Sequence, residues 1–124
     1  MSQKILIVDD NPEILELLGR KLSMEGYTVA NVSKGLEVLD KAKEFRPEFI
    51  LMDIVLEDID GAEAVRQLQT DVLTQDIPVI FLSGIVVNNG DGQSSGIKVG
   101  ERHYPALGKP FAFKELMDKI KAIR

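Results

Sequence analysis

Three carboxylates, a lysine and a serine draw attention by where they fall. Asp9 and Asp10 follow the run Lys4–Val8, Asp53 ends Phe49-Ile50-Leu51-Met52, Ser83 follows Ile77–Leu82, and Lys109 follows a short stretch near Tyr104–Leu107. Carboxylates held close together repel, and a hard divalent cation relieves them; oxygen ligands with open water positions favour Mg²⁺ over Zn²⁺. Lys109 supplies a compact positive charge able to pair with Asp53 and an incoming anion, and Ser83 supplies a hydroxyl donor. A carboxylate nucleophile, a cation clamp, an ammonium and a hydroxyl are the parts needed to accept a phosphoryl group as an aspartyl phosphate. Singly, each has a plainer use: Asp53 as a turn cap, Asp9-Asp10 as a solvated turn. The case rests on their meeting at one rim.

The elements needed to bring them there are legible. Lys4–Val8, Phe49–Asp53 and Ile77–Leu82 are short apolar runs of the kind buried on both sheet faces, and Tyr27–Asn31 alternates enough for a further strand. Between them lie helical faces. Asn11 and Pro12 suit the cap and first position of a helix carrying Ile14, Leu17, Leu18 and Leu22, which stops at Gly26. Ser33 is placed to cap a second, with Leu36, Val38, Leu39, Ala42 and Phe45 on its buried side and Pro47 beyond its end. Asp60-Gly61-Ala62-Glu63 reads as a capping box for a third, closing near Thr70. Asn88–Gly96, with three glycines and no apolar residue, is expected to be a loop. A turn of helix is expected at Ile97–Gly100, a short strand near Tyr104–Leu107, and a last amphipathic helix through Phe113, Leu116, Met117, Ile120 and Ile123. Five strands alternating with helices predict an α/β fold of three αβα layers, a doubly wound parallel sheet with right-handed crossovers. In such a sheet ligands bind beyond the carboxyl ends of the strands, where all five residues fall.

The chain of 124 residues is read as one domain with no internal repeat, and 44% hydrophobic against 28% charged residues suits a folded core. A net charge of −5 argues against a nonspecific grip on nucleic acid or an anionic membrane. Without cysteine, disulfides and thiolate chemistry are excluded. The Ile5–Val8 stretch is too short for a signal-peptide core and no window approaches a membrane span, so a cytoplasmic address is expected.

With Asp9-Asp10 after the first strand, Asp53 ending the third, Asp60-Gly61 downstream, Ser83-Gly84 after the fourth and Lys109-Pro110-Phe111 after the fifth, the chain resembles, over residues 1–124, the receiver domain of two-component response regulators. The resemblance implies that Asp10 and Asp53, with Asp9 partly through water and the backbone carbonyl of Val55, hold Mg²⁺. It implies Asp53 as phosphoryl acceptor, Lys109 as the cation bridging Asp53 and the phosphoryl oxygens, and Ser83 as a hydroxyl that turns inward to meet them. A flavodoxin-like strand order of 2-1-3-4-5 and a cis Lys109–Pro110 bond follow from the same likeness. So do the partners: a histidine kinase or phosphotransfer protein as donor, and a downstream protein met through the fourth helix, fifth strand and fifth helix, with two copies pairing through the fourth and fifth helices. Such a domain promotes its own phosphorylation and dephosphorylation and is not a turnover enzyme.

Some positions depart from the family pattern. Ala106 stands three residues before Lys109, where the family usually has an aromatic, and Tyr104 lies two residues earlier on what would be the same strand face. The segment between Ser83 and Lys109 is longer than usual. Val55 and Ile85, two residues past Asp53 and Ser83, are apolar where the family often carries polar side chains, and are expected to slow hydrolysis of the aspartyl phosphate. His103, the sole histidine, is read as a loop residue with no role. The main alternative is a phosphorylation-independent interaction module of the same fold. A Mg²⁺-dependent phosphohydrolase would need a substrate cap that so short a chain hardly provides, and a flavin carrier is disfavoured because Asp9-Asp10-Asn11-Pro12-Glu13 repels phosphate. The last helix closes the chain, which is read as standing alone or cut from a larger protein.

Overall fold

The computed structural model describes residues 3–83 and 96–123, Ser83 through its backbone alone. Five parallel strands form the sheet: β1 Lys4–Val8, β2 Thr28–Val32, β3 Phe49–Asp53, β4 Val79–Ser83 and, later in the chain, β7 Ala106–Gly108. Their order across the sheet is β2-β1-β3-β4-β7, the expected order with β7 as the fifth strand. Helices α1 Pro12–Met24, α2 Val38–Phe45, α3 Gly61–Gln69 and α4 Phe113–Ala122 cover its two faces.

Strand residues alternate between two cores, which explains their unbroken apolar runs. Ile5, Ile7, Phe49, Leu51, Ile80 and Leu82 pack with Leu15, Leu18 and Leu22 of α1 and Leu116, Met117 and Ile120 of α4. Leu6, Val8, Ile50, Met52, Val79 and Phe81 pack with Val38 and Ala42 of α2 and Ala64, Val65 and Leu68 of α3. A strand sandwiched in this way has no polar face to show.

The expected helix starts at Asn11 and Asp60 are present. The Asn11 side chain accepts from the Glu13 N–H at 2.9 Å, with Pro12 opening α1, and Asp60 accepts from the Glu63 N–H at 2.8 Å. Each satisfies a backbone donor that the first helical turn leaves without a partner. The second helix differs from expectation. It begins as a 3₁₀ turn over Gly35–Glu37, and Asp58, far along the chain, accepts from the Gly35 and Leu36 N–H groups in place of a cap by Ser33. This turn rotates Leu36 out of the buried face, leaving it 59% exposed.

Between β4 and β7 the outcome also differs. Ile97–Gly100 is not a turn of helix: β5 Ile97–Val99 pairs antiparallel with β6 Arg102–Tyr104 around Gly100, whose φ of 63° suits a glycine turn. The hairpin lies on the α3 side of the sheet, with Val99 and Tyr104 in that core. Among the described residues no helix lies between β4 and β7, and residues 84–95, where the expected fourth helix would begin, lie outside them. The expected Asn88–Gly96 loop lies outside the described residues save Gly96, as do Gly84 and Ile85. Among the described residues no helix is long and apolar enough to cross a membrane.

Candidate functional site

Sheet register decides what meets at the rim. Val8 pairs with Met52, Asp53 with Leu82, and Ser83 with Gly108, so the strand ends carrying Asp9, Asp53, Ser83 and Lys109 finish side by side. Asp9, Asp10 and Asp53 there place one carboxylate oxygen each within 4.8 Å of one another. Asp9 and Asp53 are buried and Asp10 is half-buried.

Each carboxylate is held by its surroundings. Asp9 accepts from the Asn11 N–H at 2.9 Å, tying it to the start of α1, and from Lys109 Nζ at 2.9 Å. Asp53 accepts from the Val55 N–H at 3.3 Å and lies 3.6 Å from Lys109 Nζ. Lys109 was expected at Asp53; it reaches both carboxylates and stands closer to Asp9. The Lys109–Pro110 bond is cis, in agreement with expectation. Ser83 reaches the rim through the β4 backbone, and its side chain lies outside the described set.

The Asp53 carboxyl is pushed above its ordinary value. Burial is the main cause and the neighbouring Asp9 and Asp10 charges add to it, against the opposing pull of Lys109 and the Val55 N–H. The Lys109 ammonium therefore does not offset the burial of Asp53. The donor set is all carboxylate oxygen, which suits a hard divalent cation and offers nothing to a thiophilic one.

Two features of the site have no local signal in sequence. Asp58 clamps the β3–α3 loop to the start of the 3₁₀ turn, with both oxygens engaged at 2.9 Å. Tyr104, two residues before Ala106, is buried on β6, a different strand from Ala106 on β7. Its hydroxyl accepts from Gln69 Nε2 at 2.8 Å, and its ring meets Phe81 edge-on at 5.9 Å. Val55 is 57% exposed at the mouth of the site. His103, expected in a loop, lies instead in strand β6, exposed and paired with Lys98.

Comparison with known proteins agrees with this geometry. A family model described as the response regulator receiver domain matches residues 5–121. Response regulator MprA of Mycobacterium bovis (strain BCG / Pasteur 1173P2) is 34% identical over 123 residues, covering 99% of this chain and 51% of the relative; MprA of Mycobacterium ulcerans is 34% identical with 99% and 50% covered. The chain thus spans about half the length of the curated relatives it matches. Among solved structures, the receiver domain of a sensor histidine kinase from Pseudomonas aeruginosa PAO1, with a magnesium ion in its active site cleft, superposes with a TM-score of 0.83 at 28% identity, covering 98% of this chain and 97% of that one. Response regulator TrrA of Thermotoga maritima, in complex with Mg²⁺–BeF, gives 0.80 at 28% identity, with 98% and 99% covered. Chemotaxis protein CheY4 of Vibrio cholerae gives 0.84 at 24% identity over the whole of both chains, a likeness of fold alone. On the family match and the identity to these relatives together, the chain belongs to the response regulator receiver domain family.

Proposed function

We propose that this chain is a phosphorylatable receiver of a two-component system, with Asp53 the acceptor. The observation that carries the reading is the convergence of three carboxylates within 4.8 Å at the carboxyl ends of β1 and β3, with the Lys109 ammonium against two of them. Asp9, Asp10, Asp53 and the Val55 carbonyl would hold Mg²⁺, as would fit an all-oxygen donor set. When bound, the ion neutralises charge on the transferring phosphoryl oxygens. A carboxylate oxygen of Asp53 attacks phosphorus, the P–N bond of a phosphohistidine breaks, and the electron pair stays on the donor imidazole. The donor is a histidine kinase or a phosphotransfer protein. Lys109 leans from Asp9 and Asp53 toward the new dianion, and the Ser83 hydroxyl donates to it. The domain modifies itself and turns over no separate substrate. Its output is a change in the surface formed by β7, α4 and the segment before β7, which meets a downstream protein or a second copy of the chain.

A second reading is favoured by one observation: Tyr104 is already buried and bonded to Gln69, and Ala106 leaves no aromatic on β7 to move. It makes the chain an interaction module indifferent to phosphorylation. Intact mass after incubation with Mg²⁺ and acetyl phosphate separates the two. One phosphoryl adduct, absent without Mg²⁺ and in Asp53→Asn, is expected; no adduct from a folded, Mg²⁺-binding protein would favour the second.

A further inference from the structure

We propose that Asp58 is a positioning residue for the metal site, holding the β3–α3 loop in the shape that presents Asp53 and the Val55 carbonyl; this rests on the receiver reading above.

The loop from Ile54 to Asp60 is fixed at its base and along its length. The Gly61 N–H donates to the Ile54 carbonyl at 2.6 Å, closing the base, and Leu56 is buried in the core beneath. Further along, Asp58 accepts from two successive backbone N–H groups, Gly35 and Leu36, at 2.9 Å each. Lys34, which precedes that 3₁₀ turn, makes no side-chain cap, so Asp58 supplies the cap from a separate loop. Both its oxygens are engaged, and those N–H groups hold its carboxyl down to about 2. It therefore keeps its charge and its grip across the physiological range.

Val55 lies between these anchors. Its N–H reaches Asp53 at 3.3 Å, a long hydrogen bond that a small shift of the loop would break. Gly35 also seats the loop closely, since a Cβ there would press on the Ile59 side chain and stand 3.3 Å from the Ile59 carbonyl oxygen. Asp58 lines a cleft of about 290 Å³ with Asp10, Ser33, Lys34, Leu36 and Glu57, so the clamp closes beside the third metal carboxylate. It touches no proposed ligand and acts through the backbone it fixes. Groups that hydrogen-bond a metal ligand directly commonly affect affinity by about 10- to 100-fold, and Asp58, acting one step further out, is expected at the lower end.

The test compares the wild-type chain, Asp58→Ala and Thr74→Ala by calorimetric titration with Mg²⁺ alone and by amide hydrogen exchange without Mg²⁺. Thr74 is a buried control whose hydroxyl donates to the Leu68 carbonyl at 2.7 Å, near the end of α3 and away from the rim. Asp58→Ala is expected to weaken Mg²⁺ binding roughly tenfold and to speed exchange of the Val55, Gly35 and Leu36 amides. Thr74→Ala is expected to lose stability while keeping wild-type affinity. If Asp58→Ala fails to fold, Asp58→Asn, which retains one acceptor oxygen, is expected to show a smaller loss of affinity. Wild-type Mg²⁺ affinity and Val55 protection in the folded variant would overturn the role of Asp58. A wild-type chain that binds no Mg²⁺ would overturn the receiver reading and this inference with it.

Discussion

The Lys109 ammonium donates to Asp9 at 2.9 Å, closer than its 3.6 Å approach to Asp53. Asp9 is 1% exposed, so Lys109 is the counter-charge of a buried carboxylate. Removing one partner of such a pair leaves an uncompensated charge, which costs more than the pair contributes. Lys109→Ala should therefore lower stability in chelator by about 1–3 kcal/mol. A divalent cation on the same carboxylates replaces the missing charge, so much of that loss should return at saturating Mg²⁺. Denaturant unfolding of both proteins in EDTA and in Mg²⁺ checks this, and a deficit undiminished by Mg²⁺ would contradict it.

Asp53 has the opposite relation to stability. Its folded-state pKa is raised above the ordinary 3.8, chiefly by burial and further by Asp9 and Asp10. The folded chain thus binds this proton more tightly than the unfolded chain does. The resulting stabilisation is fully present below 3.8 and fades as pH rises through the folded-state value, so at neutral pH the ionised group is a cost. Asp53→Asn removes that cost and should raise Tm at pH 7. The gap to wild type should narrow as pH approaches 4, and Mg²⁺ should raise the wild-type Tm more than the variant's. A variant less stable than wild type at pH 7 would refute the argument.

What could be read from sequence follows from which interactions are local. The runs at Ile5–Val8 and Phe49–Met52 report burial on two faces, and Asn11-Pro12 and Asp60…Glu63 encode helix starts within a few residues of themselves. Because a parallel sheet aligns its strand ends, the rim containing Asp9, Asp10, Asp53 and Lys109 followed from strand assignment alone. Asp58 bonds Gly35 across 23 residues and Lys109 bonds Asp9 across 100, so no spacing in the chain announces either pairing. The hairpin was missed for a different reason. Three residues per strand, Ile97–Val99 and Arg102–Tyr104, are too few to show a period, although Gly100 marks their turn.

The Gln69 amide ties the hairpin to α3. Gln69 Nε2 donates to the Val99 carbonyl at 3.0 Å and to the Tyr104 hydroxyl at 2.8 Å, spanning both hairpin strands. Arg102 adds ties to the Gln75 carbonyl and, at 3.1 Å, to Asp76, but these lie at the surface. Gln69→Ala should cost about 1–3 kcal/mol and Tyr104→Phe about 0.5–1.5 kcal/mol. Because the two share a bond, the double variant should lose less than the sum. Chemical denaturation of the four proteins tests this, and strict additivity would show that the Gln69–Tyr104 bond contributes nothing.

Glycines 19 and 61 both sit in helices and should respond to alanine in opposite directions. A Cβ on Gly19 in α1 would meet only Val29 Cγ1, at 3.8 Å, an ordinary contact. Gly19→Ala should therefore stabilise the chain by up to about 1 kcal/mol through helix propensity alone. A Cβ on Gly61 would collide with the Asp53 carbonyl oxygen and stand 3.0 Å from Ile54 Cα, and backbone cannot yield as a side chain can. Either α3 or the end of β3 must move, at about 1–3 kcal/mol, and the second movement displaces the carboxylate that defines the site. Gly61→Ala should thus lower Tm and weaken Mg²⁺ binding together, while Gly19→Ala raises Tm and leaves binding unchanged. Unfolding curves paired with Mg²⁺ titrations of both variants decide it, and unchanged Mg²⁺ affinity in Gly61→Ala would mean that α3 alone absorbs the clash.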